Sequence, residues 1–311
     1  MSELRKALDE YLALRRALGF ALRSVGHELA SFVTFAEREG AEFVTTDLAL
    51  RWARRSVRAE QTMWSARLGM VRRFARYRAA ADPRTEVPPD GLLPYHRRRK
   101  PPFLYSAADV RHLIAAAAAL PSPRGLRGRT FATLLALHAV TGLRTSESVG
   151  LDRADVDLER GLLFVRRTKF GKSRWVPIHP TTARALGEYA RERDRVVPAP
   201  QTPAFFVTEW GGRVRKGLAH QTFRRVVRSV GLRPRADGRR PRIHDFRHGV
   251  AIATLLRWYR TGVDVERRLP LLSTFLGHTS VEDTYWYLQA TPELLHWAAR
   301  RVEAPRGGRP R

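Results

Sequence analysis

The sequence predicts a mainly α-helical protein with a small β-sheet, built as an N-terminal all-α domain followed by a C-terminal α+β domain. Three observations carry that expectation. Apolar residues recur at helical spacing up to Ala75, prolines interrupt the chain between Asp82 and Pro102, and two short apolar segments with strand character lie beyond the break. Read at this level, 1–82 is the helical domain and 83–103 a basic, Pro-rich linker. The second domain is 104–303, and 304–311 is a basic tail.

Each element has its own reason. Leu4, Leu8, Tyr11, Leu14 and Leu18 form one apolar stripe that Gly19 ends. Leu29, Phe32, Val33 and Ala36 form a second, stopped at Gly40. Thr46 and Asp47 are start signals for a third helix through Trp52, and Trp64, Leu68, Val71 and Ala75 mark a fourth. Asp82-Pro83, Pro88-Pro89, Pro94 and Pro101-Pro102 then forbid a continuous helix. Beyond them Ser106 caps an alanine-rich helix, and 127–141 forms another. Leu162–Val165 and Arg174–Ile178 read as strands flanking a turn at Lys169-Phe170-Gly171-Lys172. Helices are expected at 181–195, 219–230, 244–260 and 292–302.

Charge narrows the partner. The 311 residues hold 57 Lys and Arg against 30 Asp and Glu, a formal +27. A compact chain of that charge repels itself, so a polyanion is the natural partner: nucleic acid first, an anionic membrane surface second. Arg67, Arg72, Arg73 and Arg76 on the fourth helix and the run Arg97, Arg98, Arg99, Lys100 are the expected DNA-facing residues, and a solvated helix face is the plainer reading of the first group. Cysteine is absent, which removes disulfides and Cys-ligated zinc and suits a reducing cytoplasm. The N-terminus lacks the apolar core of a secretory signal, and 131–143 is too short to span a bilayer. The expected location is the cytoplasm, on the nucleoid.

Four patterns carry chemistry. Thr141-Gly142-Leu143-Arg144-Thr145-Ser146-Glu147 delivers an arginine from a glycine turn to the start of a helix, where anions are favoured. In His244-Asp245-Phe246-Arg247-His248 the i, i+3 spacing puts a base and a phosphate clamp on one helix face. His244 and His248 also stand at i, i+4, a metal-ligand spacing, but Arg247 would repel a cation there and no acid cluster completes a site. Lys169 on its turn is an exposed lysine or an acid within reach of a DNA groove. Finally, Leu276-Gly277-His278 precedes Tyr287, a separation of about two and a half helical turns. A turn at Thr279-Ser280 is needed to bring His278 and Tyr287 to one side. Tyr285 is a rival two residues earlier.

In this order, Arg144, Lys169, His244, Arg247, His278 and Tyr287 resemble the catalytic set of the tyrosine recombinases, the phage-integrase family. Thr-Gly-Leu-Arg with Ser-Glu resembles that family's first arginine box, His-Asp-Phe-Arg-His its second, and Leu-Gly-His followed by Tyr its third. Lys172 and Arg174, with Val176-Pro177, fit its hairpin, and both are expected on DNA. The likeness spans about residues 104 to 300, and the helical domain with its linker resembles the family's core-binding domain. Two departures stand out: Gly249 where threonine is usual, and a longer stretch from Leu256 to Pro270.

The resemblance implies a site-specific DNA recombinase or integrase acting in integration, excision or transposition. Tyr287 would attack a phosphodiester and leave a 3′-phosphotyrosine, with His244 accepting its proton or holding a phosphate oxygen. Arg144, Arg247 and His278 would bind the phosphate, and Lys169 would protonate the departing 5′-oxygen. Neither a metal nor another cofactor is needed on this reading. The partner is double-stranded DNA, with a homotetramer, or a hetero-tetramer with related recombinases, on paired sites. Helix 292–303 would dock on a neighbouring protomer or pack within its own. The alternatives are a type IB topoisomerase-like relaxing enzyme and a catalytically silent DNA-binding regulator, with an RNA-binding protein further off.

Overall fold

The computed structural model describes residues 2–55, 61–94, 102–166, 171–236, 238–289 and 291–303. The chain divides into two compact units, Met1–Arg99 and Lys100–Arg311.

The first unit is a four-helix arrangement of α1 (Glu3–Ala17), α2 (Arg23–Arg38), α3 (Thr46–Arg54) and α4 (Gln61–Ala79). Most of the apolar stripes enter its core, where Leu4, Leu8, Leu29, Phe32, Val33, Leu48, Trp52, Leu68, Val71 and Phe74 are buried, but Leu14 and Leu18 at the end of the first stripe are exposed. Burying one such side chain contributes about 1.5–3 kcal/mol, so the packing of these stripes, not intrinsic propensity, holds the helices. Ser2 and Thr45 cap α1 and α3 by accepting from the backbone N–H of Arg5 and Leu48.

Part of the expected linker belongs to this unit. Glu86 N–H donates to Val44 O, and Thr46 N–H donates to the Glu86 carboxylate. Arg72 donates to the carbonyls of Pro88 and Pro89, each at 2.7 Å, and pairs with Asp90 at 2.6 Å. The prolines thus end the helix without freeing the chain, because their carbonyls still accept hydrogen bonds.

In the second unit α5 (Ala107–Ala118) and α6 (Leu126–Thr141) pack together, and a one-turn α7 (Thr145–Ser148) follows Gly142. Ser106 and Asp109 form a capping box on α5. The sheet is β1 (Val156–Asp157), β2 (Leu162–Val165) and β3 (Arg174–Pro177), antiparallel in that order, with Leu163 opposite Val176. Leu163, Val165 and Val176 face the core, while Phe164 and Trp175 pair on the other side at 4.6 Å. Then come α8 (Pro180–Val196), α9 (Lys216–Ser229), α10 (Asp245–Arg260), α11 (Val265–Leu276), α12 (Glu282–Tyr285) and α13 (Pro292–Glu303).

Helices α10, α11 and α13 and the 3-10 turn over Trp286–Gln289 share a separate cluster of Ala251, Ile252, Leu255, Leu269, Leu272, Leu276, Leu294 and Tyr287. Helix α13 packs on α10 of its own chain through buried Leu294, while Leu295 remains exposed. Strand β1 and helices α11 and α12 are not among the elements that the sequence predicts. Strand β1 is only two residues long, and α11 includes Pro270. No helix among the described residues is long and apolar enough to cross a membrane.

Candidate active site

The first arginine is placed by a glycine and a carboxylate. Gly142 ends α6 at φ +62°, a conformation that strains a residue bearing a Cβ, and a Cβ there would also press on Leu276. The chain then turns so that the Arg144 N–H donates to Glu147 Oε2 and its guanidinium to Glu147 Oε1 at 2.8 Å. Buried His138 stabilises this turn, with Nδ1 2.9 Å from Leu143 O and Nε2 3.0 Å from Ser148 Oγ. Burial holds its pKa down to about 4, so the ring is neutral and donates at Nδ1 to the carbonyl.

Glu147 is the hub. Arg174 reaches from β3 to clasp both its oxygens at 3.1 and 3.0 Å and donates from Nε to Phe275 O. Burial disfavours the carboxylate, but Arg174 and Arg144 outweigh that and hold its pKa below the usual range. Arg144 also donates to Gly277 O at 2.9 Å. Gly277 caps α11 at φ +70°, where a Cβ would lie 2.5 Å from the Arg174 guanidinium, so the close approach requires glycine. This clasp fixes the next residue, His278, whose Nδ1 lies 2.7 Å from the buried Thr284 hydroxyl.

Helix α10 supplies His244 at its N-cap, with Arg247 and His248 in its first turns. Arg247 is 2% exposed. Its Nη1 donates to Gly142 O at 3.0 Å, yet its buried Nη2 has no hydrogen-bond partner among the described residues. Burial and the neighbouring Arg144 charge lower its pKa to about 10, which still leaves it charged at neutral pH. An unmatched buried cationic donor costs several kcal/mol unless an anion meets it.

The expected turn separates His278 from Tyr287. The chain leaves α11 at Gly277, enters α12 at Glu282 and tightens into a 3-10 turn over Trp286–Gln289. The turn sets the two tyrosines apart: Tyr287 is 2% exposed and Tyr285 49%. The Tyr287 ring stacks over His278 at 6.0 Å, and its hydroxyl lies 3.1 Å from Nδ1 of His248. Burial raises the phenol pKa, opposed by Arg247. Burial and nearby arginines lower His244 and His278 to about 4, and burial with His244 and the arginines lowers His248 to about 3. At neutral pH the pocket therefore holds neutral imidazoles and charged guanidinia.

Arg144, His244, Arg247, His278 and Tyr287 thus come together, while Lys169 and Arg97, Arg98, Arg99 and Lys100 lie outside the described residues. The other basic residues separate into two groups. Arg67 stacks on Trp52 at 4.6 Å and pairs with Glu28, Arg72 holds the proline carbonyls, and Arg174 is occupied by Glu147. These three turn into the protein, where acids or carbonyls meet their charge. Arg73 and Lys172 are exposed, as is Arg76, which pairs with Asp90.

The sequence reading gave no role to Glu147 or His248. The signal for Glu147 was its place three residues after Arg144, where a capping-box acid stands. For His248 it was the i, i+4 spacing from His244 that was weighed for a metal. Among the described residues no group of three or more His, Cys, Asp or Glu is arranged to hold a metal ion.

The second unit thus sets a buried tyrosine beside guanidinia whose charge suits an anionic group. The model described as the phage integrase family matches residues 105–293. A protein of Sinorhizobium fredii named "Putative integrase/recombinase y4rB" is 46% identical over 97% of this chain and 98% of its own length. Tyrosine recombinase XerC of Chlamydia caviae is 26% identical over 92% of this chain and 94% of its own. Among solved structures, the Tn1549 transposon integrase in complex with transposon right end DNA superposes with a TM-score of 0.67 at 15% identity, covering 98% of this chain and all of that one. The chain belongs to the phage integrase family of tyrosine recombinases, enzymes of site-specific recombination.

Proposed function

We propose that this recombinase cleaves and rejoins double-stranded DNA through a 3′-phosphotyrosine on Tyr287, attacking from the same protomer that binds the phosphate. The observation that carries this reading is the buried Arg247 guanidinium, met by no carboxylate among the described residues and reaching the Tyr287 phenol. A non-bridging phosphate oxygen has the charge and the acceptor geometry to meet it.

In this mechanism Arg144 and Arg247 stabilise the charge that grows on the pentacoordinate phosphorus. His278, steered by Thr284, and His244, at the helix N-terminus, donate hydrogen bonds to the same phosphate. Lys169 protonates the departing 5′-oxygen. The phosphotyrosine keeps the energy of the broken diester, so rejoining needs no nucleotide. The family resemblance further implies integration, excision or transposition by four protomers on two paired sites. Of the residues expected on DNA, Arg73 and Arg76 of the first unit and Lys172 of the hairpin are exposed and could contact a DNA backbone.

The test is a nicked suicide duplex carrying the site recovered by binding selection from random DNA. The wild-type chain forms an adduct that survives SDS electrophoresis, and Tyr287→Phe forms none while still shifting the duplex in a gel. An adduct on the Tyr287→Phe chain would show that the nucleophile lies elsewhere.

A further inference from the structure

We propose that His248 aims the phenol of Tyr287 and is the first acceptor of its proton when the phosphate is attacked. This rests on Tyr287 being the nucleophile.

Three observations lead to His248 rather than His244 or His278. The first is contact: the Tyr287 hydroxyl lies 3.1 Å from Nδ1 of His248, within hydrogen-bond reach. The Nδ1 of His278 is already engaged with Thr284, and its ring stacks over the phenol ring. The second is rigidity. His248 is wedged edge-on between His244, 4.9 Å away, and Trp286, 5.5 Å away, and it rises from a helix whose next turns are packed through Ala251 and Ile252. The third is isolation: Tyr287 is nearly inaccessible, so bulk water is a poor rival for the proton.

Proton accounting gives His248 a definite cycle. With its own proton on Nε2, the neutral imidazole accepts the phenol hydrogen bond at Nδ1. As the Tyr287 oxygen bonds to phosphorus, its proton passes to Nδ1 and His248 becomes imidazolium. The bond from phosphorus to the 5′-oxygen breaks, and that oxygen takes a proton from the leaving-group acid. On rejoining, a 5′-hydroxyl attacks, returns its proton to that acid, and the departing phenolate recovers the proton held by His248.

The groups facing His248 explain why it does not ionise early. His244 and Arg247 on its own helix, Arg242 before that helix and His278 after α11 all disfavour a positive charge, as does burial, and its pKa in the DNA-free protein is about 3. An entering phosphate brings negative charge to Arg247 and Arg144 and lifts part of that penalty. The base therefore gains strength only when substrate is present.

The experiment measures single-turnover adduct formation against pH on the suicide duplex, with either a normal 5′-oxygen or a 5′-bridging sulfur at the scissile bond. Sulfur leaves without an acid and so isolates activation of the nucleophile. His248→Leu slows both substrates by about 10²–10⁴-fold, the range of one acid–base group. His248→Asn restores an acceptor near the Nδ1 position without basicity, and recovers part of the rate. Neither variant keeps the acidic limb of the wild-type pH profile. Lys169→Ala behaves oppositely, slow on oxygen and rescued by sulfur. Duplex binding by gel shift and the thermal transition verify that both His248 variants are folded. The inference is overturned if His248→Leu matches wild type, if sulfur rescues it, or if its acidic limb is unchanged. Absence of any adduct on the wild-type chain would instead overturn the assignment of Tyr287 as nucleophile, and this inference with it.

Discussion

The first unit meets its inward-turned Arg67, Arg72 and Arg78 with carboxylates, whereas the second leaves one inward-turned arginine, Arg247, without any among the described residues. In the first, Arg67 meets Glu28, Arg78 meets Asp82, and Arg72 meets Asp90 and two proline carbonyls. In the second, Glu147 neutralises Arg144 and Arg174, but Arg247 lies deeper, with one carbonyl and no carboxylate. The same side chain is a structural cross-link where its charge is matched, and a demand for an anion where it is not. The position of an arginine in an Arg-rich sequence therefore says less than the partner that reaches it.

The largest effect that sharpens this contrast is at Arg247. Arg247→Ala lowers adduct formation by about 10²–10³-fold, the cost of removing one donor to a transition-state oxygen. Because the unmatched donor opposes folding, the same change costs the thermal transition little for so buried a residue. A large drop in the transition with cleavage intact would show that Arg247 is a structural residue like those of the first unit.

Next in size is acid sensitivity. His138, His244 and His278 have pKa values of about 4 in the folded chain and His248 about 3, against about 6.5 when unfolded. Between those limits the unfolded chain binds more protons, so stability is full above about 6.5 and falls as pH drops toward 4. In the first unit, Glu37 is lowered by its hydrogen bonds from Arg5, and Asp82 by those from Arg84. Their contribution is present above the usual carboxylate range and fades only below it. Hydrogen exchange, corrected for intrinsic pH dependence, should show α6, α10 and α11 opening at a higher pH than α1 and α2. Simultaneous opening would remove the distinction.

The smallest effect is at Arg72. Arg72→Ala destabilises the first unit by about 1–3 kcal/mol, read as faster exchange over 83–94, while the adduct rate on saturating DNA is unchanged. Weaker DNA binding with no loss of stability would return Arg72 to the DNA surface.

Much of this was legible in the sequence, for reasons that differ by element. Helices α1, α2 and α4 were readable because Leu4, Leu29 and Trp64 begin apolar stripes, and α3 from the start signal at Thr46 and Asp47. The hairpin was readable from two short segments, Leu162–Val165 and Arg174–Ile178, that flank a turn. Helix α11 was not, because Pro270 argues against a helix through that stretch. Strand β1 was too short for any pattern. Among site residues, Arg144, His244, Arg247, His278 and Tyr287 were marked by local motifs. The different burial of Tyr287 and Tyr285 was not legible, since it comes from the 3-10 turn that buries one and exposes the other. The inward direction of Arg67, Arg72 and Arg174 could not be read, since Glu28, Pro88 and Glu147 approach from elsewhere in the chain. For the same reason no local pattern joins His248 to a phenol 39 residues away.

Burial of the Tyr287 hydroxyl bears on the safety of the reaction. On the proposed mechanism a chromosome is held, for the life of the intermediate, by one ester to that oxygen. Water reaching the ester would release the enzyme and leave a permanent break. A nucleophile 2% exposed, walled by His248, His278 and Trp286, keeps that competitor out. The incoming 5′-end succeeds because it is delivered on a strand, whereas solvent must diffuse in.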